Sequence, residues 1–478
     1  MSLLLGGGGV ALFERLMMRK YLVLLIIFAV LVRIPFAILV FNRPHTAYAS
    51  HDSIGYDALA KNLLYNHSFS LYSEDPQIKD PVRTPGYPFF LSMVYVFFPD
   101  NSPFVVLFQM LLDIGIILLL FNLVRAMVND RAGFIAGLFY ALNIHQVLFT
   151  TQVLSEILFS FFLLAGIVLC FLYVRKRGMQ NLFLSALCIG FAILIRPIAL
   201  FFPLIILFFL MLKRIQPRRM VAFTLIVILF PLTWTLRNTI VFKQFFYTKI
   251  HSVNLVLYHA PSIIQDRQGI SREEAKKLFF KREKEKYSLS DYQMDYFDDN
   301  PSLCDKLARD ARGIVFTYPL LFIKHQILGV IHTLLPANMG FTADMLAGKG
   351  SGGSGLKPAF KPFFQYLLRG RVTEGVTFLL KERGKNLGSG IWMILGLICV
   401  YQIALYILSI FGLKRNRISP EILFILITIA YFMIIPGEVG EARFRVPVEP
   451  YITLLASLAL VKQSSKAPSN FFTRKDSL

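Results

Sequence analysis

Charged residues suited to phosphate and proton chemistry lie in or beside the long apolar runs of this 478-residue chain. The guanidinium group of Arg recognises phosphate oxygens in a fixed, bidentate way, and a carboxylate beside it can take a proton from an attacking hydroxyl group. The candidates of these two kinds are Asp52, Asp57, Arg83, Glu156, Arg196, Arg237, Arg443 and Arg445. Several Arg side chains around one or two carboxylates indicate a phosphate-bearing substrate.

The elements that must position these residues are membrane-spanning helices. Hydrophobic residues make up 55% of the chain and charged residues only 17%, which is more apolar surface than the cores of a soluble protein this size could enclose. Apolar runs recur from Tyr21 to Val461, and the backbone of such runs is satisfied in lipid by forming helices. We therefore predict an all-α polytopic membrane protein with about ten transmembrane helices.

The predicted spans divide the chain into a membrane core and two polar regions. The spans are Tyr21–Phe41, Phe104–Val124, Ala132–Leu148, Val153–Val174, Asn181–Arg196, Ile198–Leu212, Val221–Leu236, Ile391–Leu413, Ile422–Ile435 and Val448–Val461. The corresponding segments are a cytoplasmic N-terminus (1–20), an N-terminal core (21–237) with an outer loop (43–103), an outer region (238–390), C-terminal spans (391–461) and a cytoplasmic tail (462–478).

Two segments of the outer region leave alternatives open. Residues 348–355 (GKGSGGSG) have the composition of a flexible linker, which is either native or an engineered insertion. The apolar run Ile314–Leu335 either spans once or lies along the outer interface as a helix broken by Pro319 and Pro336. We expect the interfacial helix, and the number of spans depends on this choice.

The distribution of charge predicts the orientation. Lys and Arg number 50 against 29 Asp and Glu, and the excess lies in short gaps on one side of the predicted map, such as Arg175–Arg177. The loop 43–103 instead holds four basic against six acidic residues. Because cytoplasmic loops carry the excess of Lys and Arg, the N-terminus is expected in the cytoplasm and the candidate residues at the outer face. The basic balance thus sets orientation and implies no nucleic-acid partner.

Motifs around the candidates follow one another in a recognisable order. The stretch HDSIGYDALAKNLL begins at His51 and places Asp52 four residues before Tyr56. Further motifs are Arg83–Pro88 with Tyr87, Gln109 with Asp113, Leu154–Glu156, Ile195–Pro197, Trp234–Asn238 and Arg443–Pro450. This set resembles the GT-C membrane glycosyltransferases, in particular the bacterial relatives of protein O-mannosyltransferases and of the aminoarabinose transferase that acts on lipid A.

The resemblance implies a GT-C-type helix bundle with juxtamembrane helices in the first outer loop and a large late outer region. It implies an inverting hexosyl- or pentosyltransferase of cell-envelope glycosylation, active on the extracytoplasmic side of the plasma (inner) membrane. The donor would be a polyprenyl-phosphate-linked sugar, and the acceptor a hydroxyl group of a glycan, lipid or protein. Asp52 would be the general base, and Arg83 with one or more of Arg196, Arg237, Arg443 and Arg445 would hold the phosphate.

Pocket candidates on the same motifs are Tyr56, Tyr87, Glu156 and Asn238. No cofactor beyond the donor is expected. A divalent metal is without support, because the histidines lie far apart and form no ligand motif. No nucleotide-binding motif of the form GxGxxG or GxxxxGK[ST] is present. The sequence therefore indicates neither a nucleotide-linked donor nor a reaction driven by ATP hydrolysis.

Other interpretations of single residues and of the whole chain stay open at this stage. Asp52 could cap a helix that begins near Ser53, Glu156 could pair with an Arg across the bundle, and Asp113 is expected to pair with Arg33 in a structural role. A flippase or transporter of lipid-linked phosphate compounds would place its site near the membrane midplane. A polysaccharide ligase or polymerase would share the lipid-linked donor.

Overall fold

The computed structural model describes residues 7–335, 371, 373–374, 377 and 389–461. These residues form helices joined by turns and loops, and none of them is in a β-strand. The predicted all-α fold class is therefore confirmed. The predictions about residues 348–355, about Pro336 and about the tail over 462–478 fall outside the described residues.

The helices are numbered in chain order. The first ten are α1 (Gly7–Asn42), α2 (His51–Tyr65), α3 (Gly86–Phe97), α4 (Ser102–Met127), α5 (Asp130–Ala141), α6 (Ile144–Thr150), α7 (Glu156–Lys176), α8 (Met179–Ile195), α9 (Phe202–Leu212) and α10 (Pro217–Phe242). The others are α11 (Ile250–Asn254), α12 (Ala260–Gln268), α13 (Arg272–Tyr287), α14 (Asp291–Asp295), α15 (Pro301–Thr317), α16 (Pro319–Leu334), α17 (Ser389–Arg415), α18 (Pro420–Ile434) and α19 (Glu449–Leu460).

Five of the described helices are long and apolar enough to cross a membrane: Met17–Asn42, Ser102–Met127, Glu156–Lys176, Pro217–Phe242 and Met393–Arg415. Two bent pairs, α5 with α6 and α15 with α16, raise this number to seven if each pair is one span. Shorter apolar helices include α3, α8 and α18. A multi-pass membrane protein follows, while the number of ten spans stays a prediction.

Some boundaries differ from those predicted. The run Ala132–Leu148 is interrupted, since α5 and α6 meet at an angle of 62° and the side chain of Asn143 accepts a hydrogen bond from the backbone N–H of Gln146. An Asn that satisfies the first turn of a helix in this way starts a new helix. The break predicted at Pro319 is confirmed, with a bend of 100° between α15 and α16, because Pro lacks the N–H that would continue the helix.

The helices form a bundle, and their ends contact one another at each of its two ends. At the first, termed the site end, the backbone N–H of Val153 donates to the carbonyl of Ala47 at 2.9 Å, and the hydroxyl of Tyr431 donates to the carbonyl of Ile198 at 2.6 Å. At the opposite end, Arg219 donates to the hydroxyl of Tyr173 at 3.1 Å. The first loop, with α2 and the start of α3, lies at the site end.

Residues 250–317, termed the lobe, form a second apolar core of their own around Val256, Phe279 and Leu307. The first loop contacts the lobe and the residue that precedes it. The hydroxyl of Tyr72 donates to Asp299 of the lobe at 2.6 Å, and the backbone N–H of Lys249, just before the lobe, donates to the carbonyl of Pro81 at 3.0 Å. The lobe therefore covers part of the site end.

The expected buried pair between Arg33 and Asp113 is confirmed. The Nε of Arg33 donates to Asp113 at 2.9 Å, and Tyr140 donates to the other carboxylate oxygen at 2.8 Å. Asp113 is fully enclosed and Arg33 almost so. A buried charge is tolerated only when it is paired and hydrogen-bonded, and this pair joins α1, α4 and α5 inside the bundle.

Candidate functional site

Asp52 lies in the first turn of α2 and does not cap it. The N-cap is Ser50, which has an extended backbone and whose hydroxyl accepts a hydrogen bond from the N–H of Asp52. The alternative in which Asp52 only caps the helix is therefore wrong. Its side chain is 38% exposed, so the carboxylate is open to a substrate.

Two guanidinium groups flank the carboxylate of Asp52. Arg443, 391 positions away in the chain, donates from Nη1 to Oδ2 at 2.7 Å, and Nη2 of Arg83 lies 4.0 Å from Oδ1. The buried Asp80 holds Arg83 in place, since its carboxylate accepts from Nη1 of Arg83 at 3.1 Å and from the backbone N–H of Arg83 at 2.9 Å. An Asp that bonds to the backbone just after it forms a tight turn, and this turn aims Arg83 at α2.

A second ion pair completes the cluster. Nη1 of Arg196, the residue that follows α8, lies 2.5 Å from Oε1 of Glu156 in the first turn of α7. The ring of Phe444 lies between the two basic groups, with the guanidinium of Arg196 5.2 Å and that of Arg443 5.1 Å from its centroid. These cation–π contacts hold both side chains over the same ring. We call Asp52, Arg83, Glu156, Arg196 and Arg443 the Asp52 cluster.

Among the residues that the structure describes, three buried polar atoms of the Asp52 cluster find no hydrogen-bond partner. They are Nε of Arg443, Nη1 of Arg196, whose contact with Glu156 lacks hydrogen-bond geometry, and Oε2 of Glu156. A buried donor or acceptor without a partner costs free energy. Two of these atoms are guanidinium donors suited to the oxygens of an anion, and the third is an acceptor suited to a hydroxyl group.

The charges of the cluster control the protonation state of Asp52. The guanidinium of Arg443 is the main cause that lowers the pKa of Asp52 from 3.8 to about 2, with smaller contributions from Arg83 and Arg196, while burial acts in the opposite direction. Burial alone would lower the pKa of Arg443, but Asp52 and Glu156 raise it well above its ordinary value. Asp52 is therefore ionised at neutral pH.

Two of the pocket candidates lie beside the cluster. The hydroxyl of Tyr56 is 3.3 Å from that of Ser155, and its ring packs edge-on against Tyr87 with centroids 4.9 Å apart. Tyr87 is fully enclosed and donates to Gln109 at 2.8 Å. Tyr56 thus faces the cluster, whereas Tyr87 supports it from behind.

The structure places Arg237 and Asn238 outside the Asp52 cluster. The guanidinium of Arg237 stacks on Trp234, 4.7 Å from the ring centroid, and its nearest link to the cluster is the carbonyl of Asp80 at 3.5 Å. The buried Asn238 donates to the carbonyls of Phe246 and Tyr247. Asn238 therefore fixes the chain that leaves α10.

Arg445 and Asp57 are also not brought into the Asp52 cluster. Arg445 is fully enclosed, pairs with Glu449 and donates to the carbonyl of Thr333 at 3.0 Å. Asp57 pairs with Lys61 at 2.9 Å and accepts from Tyr95 at 2.5 Å. The contacts of both residues are structural ones.

Sequence reasoning missed the residues that support the cluster. Asp80, which holds Arg83, lies three residues before it and directly precedes Pro81. An acidic residue followed by Pro so close to a candidate Arg could have indicated this turn from the sequence. Glu438 accepts from His259 at 3.1 Å and from Arg272 at 3.2 Å, and no local pattern announces this contact. Within the described part of the chain, no three His, Cys, Asp or Glu side chains come together as metal ligands.

Residues 81–236, roughly a third of the chain, match the family model described as dolichyl-phosphate-mannose-protein mannosyltransferase. This family is of the GT-C type, so the resemblance that the sequence motifs predict is confirmed. The matched segment holds Arg83, Glu156 and Arg196, while Asp52 and Arg443 lie on either side of it.

The solved structures that are similar to this chain include the following two. The apo crystal structure of the Archaeoglobus fulgidus oligosaccharyltransferase has a TM-score of 0.49 and 14% identity, covering 94% of this chain and 50% of that one. The archaeal oligosaccharyltransferase AglB from Archaeoglobus fulgidus, in complex with an inhibitory peptide and a dolichol-phosphate, has a TM-score of 0.48 with the same identity and coverage. The chain thus spans about half the length of these proteins. Comparison with curated protein sequences finds no significant match.

Proposed function

We propose that this protein is a membrane glycosyltransferase that moves a sugar from a polyprenyl-phosphate-linked donor to an acceptor hydroxyl at the outer face of the membrane. In this proposal Asp52 is the general base, and Arg443, Arg196 and Arg83 hold the donor phosphate. Glu156 and Tyr56 would contact the sugar or the acceptor. The product lipid, a polyprenyl phosphate, would return to the bilayer, and no resident metal takes part.

The observation that carries the proposal is the group of unpartnered atoms in the Asp52 cluster. A phosphate there would give acceptors to Nε of Arg443 and Nη1 of Arg196, both on side chains suited to phosphate oxygens. The same phosphate would share Arg443 with Asp52 and so raise the pKa of the carboxylate above its resting value of about 2. Asp52 would become a stronger base only when the donor is in place.

The proposed reaction is one inverting displacement. The oxygen of the acceptor hydroxyl forms a bond to the anomeric carbon while its proton passes to the carboxylate of Asp52. The bond between the anomeric carbon and the phosphate oxygen breaks, and its electron pair leaves with the polyprenyl phosphate. The guanidinium groups stabilise the charge that develops on this leaving group, which is usually the largest catalytic effect.

The test replaces the proposed base and keeps its shape. Asp52→Asn should insert and fold normally, bind the donor, and lose roughly 10²–10⁴-fold in turnover. The matched control is Asp75→Asn, an exposed position of the same loop, which should keep wild-type turnover. Turnover is measured on purified protein in nanodiscs with a radiolabelled polyprenyl-phosphate sugar. Near-wild-type turnover in Asp52→Asn would refute this base, and Glu156 or Asp57 would be tested next.

A further inference from the structure

A groove of about 390 Å³ lies between α17 and α19, at the end of the bundle opposite the site end. Its lining consists of Leu408, Phe411, Lys414, Arg415, Ala459 and Leu460. The next helix fixes its place in the bundle. α18 begins at Pro420, shortly after the end of α17, and it reaches the site end near its own last turn, where Tyr431 donates to the carbonyl of Ile198. We call this feature the α17–α19 groove, and the proposed reaction does not use it.

The two helices are held closely together beside this groove. Gly412 is buried, and a Cβ atom there would overlap the carbonyl oxygen of Leu455, so only a residue without a side chain allows this approach. Three residues further, Nη1 of Arg415 donates to the carbonyl of Ala459 at 2.8 Å. Close approach through small residues is a common way for helices to associate in lipid. The groove therefore lies beside a fixed contact between α17 and α19.

The wall of the α17–α19 groove is apolar and exposed. Phe411, on the candidate span Met393–Arg415, and Leu460, the last residue of α19, are each more than half exposed. Leu408 and Ala459 complete this wall. Exposed apolar side chains on a spanning helix face the acyl chains of the bilayer, which are as apolar as Leu. The wall is therefore suited to an acyl chain.

The rim of the groove carries two basic side chains, Lys414 and Arg415, which are both exposed. Residues 411–420 hold three basic residues and no acidic one, and Glu421, which comes next, pairs with Lys213. In the described part of the chain, neither rim residue has a carboxylate within ion-pair distance, and Arg415 donates to a neutral carbonyl. Two cations above an apolar wall are complementary to a lipid with an anionic head group.

We propose that the α17–α19 groove binds an anionic phospholipid of the bilayer. Its phosphate lies on Lys414 and Arg415, and one acyl chain lies along Phe411 and Leu460. In the expected orientation this end of the bundle faces the cytoplasm, so the lipid belongs to the cytoplasmic leaflet, whose surface is negatively charged. Because the lipid contacts both helices, it should strengthen the contact between α17 and α19.

This lipid is neither the donor nor the acceptor of the proposed reaction. Its phosphate is separated from the Asp52 cluster by the hydrocarbon core of the bilayer, which is roughly 30 Å thick, whereas the phosphate of the donor must lie at the cluster itself. Binding at the α17–α19 groove therefore goes beyond the proposed function and is independent of it.

The alternative occupant of the groove is the chain that follows α19. Residues 462–478 hold four basic residues and one acidic residue. Because like charges repel one another, a basic segment is a poor partner for Lys414 and Arg415. The charge of the rim therefore favours a lipid of the bilayer over this segment.

Native mass spectrometry tests the binding directly. Purified protein in a non-ionic detergent is titrated with phosphatidylglycerol or with phosphatidylcholine of the same acyl chains, and the bound lipids are counted. Phosphatidylglycerol should bind roughly tenfold more tightly, because each basic side chain near an anionic lipid favours binding severalfold. Lys414→Gln/Arg415→Gln should remove this preference. Lys414→Gln alone, which keeps the hydrogen bond from Arg415 to Ala459, should reduce it to about threefold.

Three controls separate the groove from charge in general. Arg214→Gln/Arg218→Gln removes two exposed charges from the same end of the bundle but outside the groove, and it should leave the preference unchanged. Ala459→Phe fills the groove and keeps both charges, so it should weaken the binding of phosphatidylglycerol. Glycerophosphoglycerol, the same head group without acyl chains, should not compete with the lipid.

Equal binding of the two lipids, no binding of either, or an equal loss of the preference in the two double variants would overturn the proposed site. Competition by glycerophosphoglycerol would show a site for free anions instead of one for a lipid. Replacement of all four basic residues of 462–478 by Gln should keep the preference, and its loss would assign the lipid to that segment. The assay contains no sugar donor, so each of these outcomes leaves the proposed transferase in place.

Discussion

At the scale of single residues, the ion pair between Asp52 and Arg443 makes the stability and the activity of the protein depend on pH in the acid range. The folded-state pKa of Asp52 is depressed, from 3.8 to about 2, chiefly by Arg443. A depressed carboxyl pKa contributes stability above the unfolded-state value, and that stability is lost as the pH falls through the folded-state value. The contribution of Asp52 is therefore present above pH 3.8 and disappears between about pH 4 and pH 2.

Arg443→Gln should make this limit measurable. Without the nearest guanidinium, the pKa of Asp52 should rise toward its ordinary value of 3.8, so about 40% of the carboxylate would be protonated at pH 4. With the donor well below its KM, where kcat/KM reports the free enzyme, kcat/KM of the variant should fall by roughly 40% between pH 6 and pH 4, while wild-type kcat/KM stays nearly constant. The loss of a charged hydrogen bond should also raise the KM for the donor roughly 10- to 100-fold.

The measurement is kcat/KM for the donor between pH 3 and pH 7 in short assays. Arg83→Gln is the matched control, because Arg83 lies 4.0 Å from the carboxylate against 2.7 Å for Arg443 and should shift the acid limb less. An unchanged acid limb in Arg443→Gln would show that Asp52 is not the titrating group of the reaction.

The sequence motifs indicated which residues could form the site but not their pairing. Residue types and order were enough to select Asp52, Arg83, Glu156 and Arg196, which all follow or open an apolar run. The contact between Asp52 and Arg443 spans 391 positions and is decided by how the last loop packs on α2. For the same reason the enclosed position of Arg445, two residues from Arg443, could not be predicted from the pattern Arg-Phe-Arg.

At the scale of elements, Glu438 fixes the loop that carries Arg443. It lies in the short turn Gly437–Val439 between α18 and Arg443, and it accepts hydrogen bonds from His259, Ser262 and Arg272 of the lobe. His259 belongs to the π-helical turn Leu255–His259, a local irregularity that often occurs at functional sites. The lobe is thereby joined to the loop that positions Arg443.

Glu438→Ala should release this loop and lower turnover by up to roughly 10²-fold, because a misplacement of about 1 Å in a catalytic group has that effect. The variant should also shift the acid limb of the pH profile upward, since a displaced Arg443 lowers the pKa of Asp52 less. Glu285→Ala, an exposed position of the lobe, is the control. A loss of turnover with an unshifted acid limb would mean that Glu438 only stabilises the fold.

Acidic residues lie close together where the lobe contacts the first loop. Their effect on the pH dependence of stability is opposite in direction to that of Asp52. Burial, with the nearby carboxylates Asp298 and Asp80, raises the pKa of Asp299 to about 6. A raised carboxyl pKa gives stability that is full below 3.8 and is lost as the pH rises through about 6. Ionised Asp299 therefore weakens this contact at neutral pH.

Asp299→Asn should raise the melting temperature at pH 8 by on the order of 1–2 °C, since Asn still accepts the hydrogen bond from Tyr72 and carries no charge. At pH 3, below both the unfolded-state and the folded-state pKa of Asp299, the variant and the wild type should melt at the same temperature. Differential scanning fluorimetry at both pH values measures this. Equal stabilisation at pH 3 and pH 8 would assign the effect to something other than ionisation.

Hydropathy predicted most helices but not their breaks. The first span, the second and the fourth correspond to α1, α4 and α7, whose long apolar runs leave no alternative in lipid. The interruption at Asn143 depends on one side-chain hydrogen bond within a run that is otherwise apolar. The break at Pro319, in contrast, could be predicted from the sequence, because the effect of Pro on the backbone is local and independent of packing.

At the scale of the whole molecule, the chemistry is gathered at one end of the bundle. The Asp52 cluster and the lobe are both at the site end, whereas Arg125, Lys213 and Arg219 lie at the opposite end and contact neighbouring helices there. Interfacial Lys and Arg prefer the cytoplasmic side. We therefore expect the site end to lie on the outer side of the membrane, at the leaflet in which a lipid-linked donor would be presented.

A cysteine-labelling experiment tests this orientation. Ser73, in the first loop, and Gln180, at the start of α8, are both exposed and lie at the two different ends of the bundle. The native cysteines Cys170, Cys188, Cys304 and Cys399 are buried or partly buried and can be replaced by Ala. In intact spheroplasts a membrane-impermeant maleimide should label Ser73→Cys fully, and it should label Gln180→Cys only after the membrane is opened.

The reverse pattern would place the Asp52 cluster in the cytoplasm. That result would refute the expected orientation and remove the reason for a lipid-linked donor at the outer leaflet. Labelling of both positions from outside would be incompatible with their places at opposite ends, since a bundle that crosses the membrane separates its ends by the roughly 30 Å of the hydrocarbon core. The two positions together thus test the map of spans and the side of the chemistry at once.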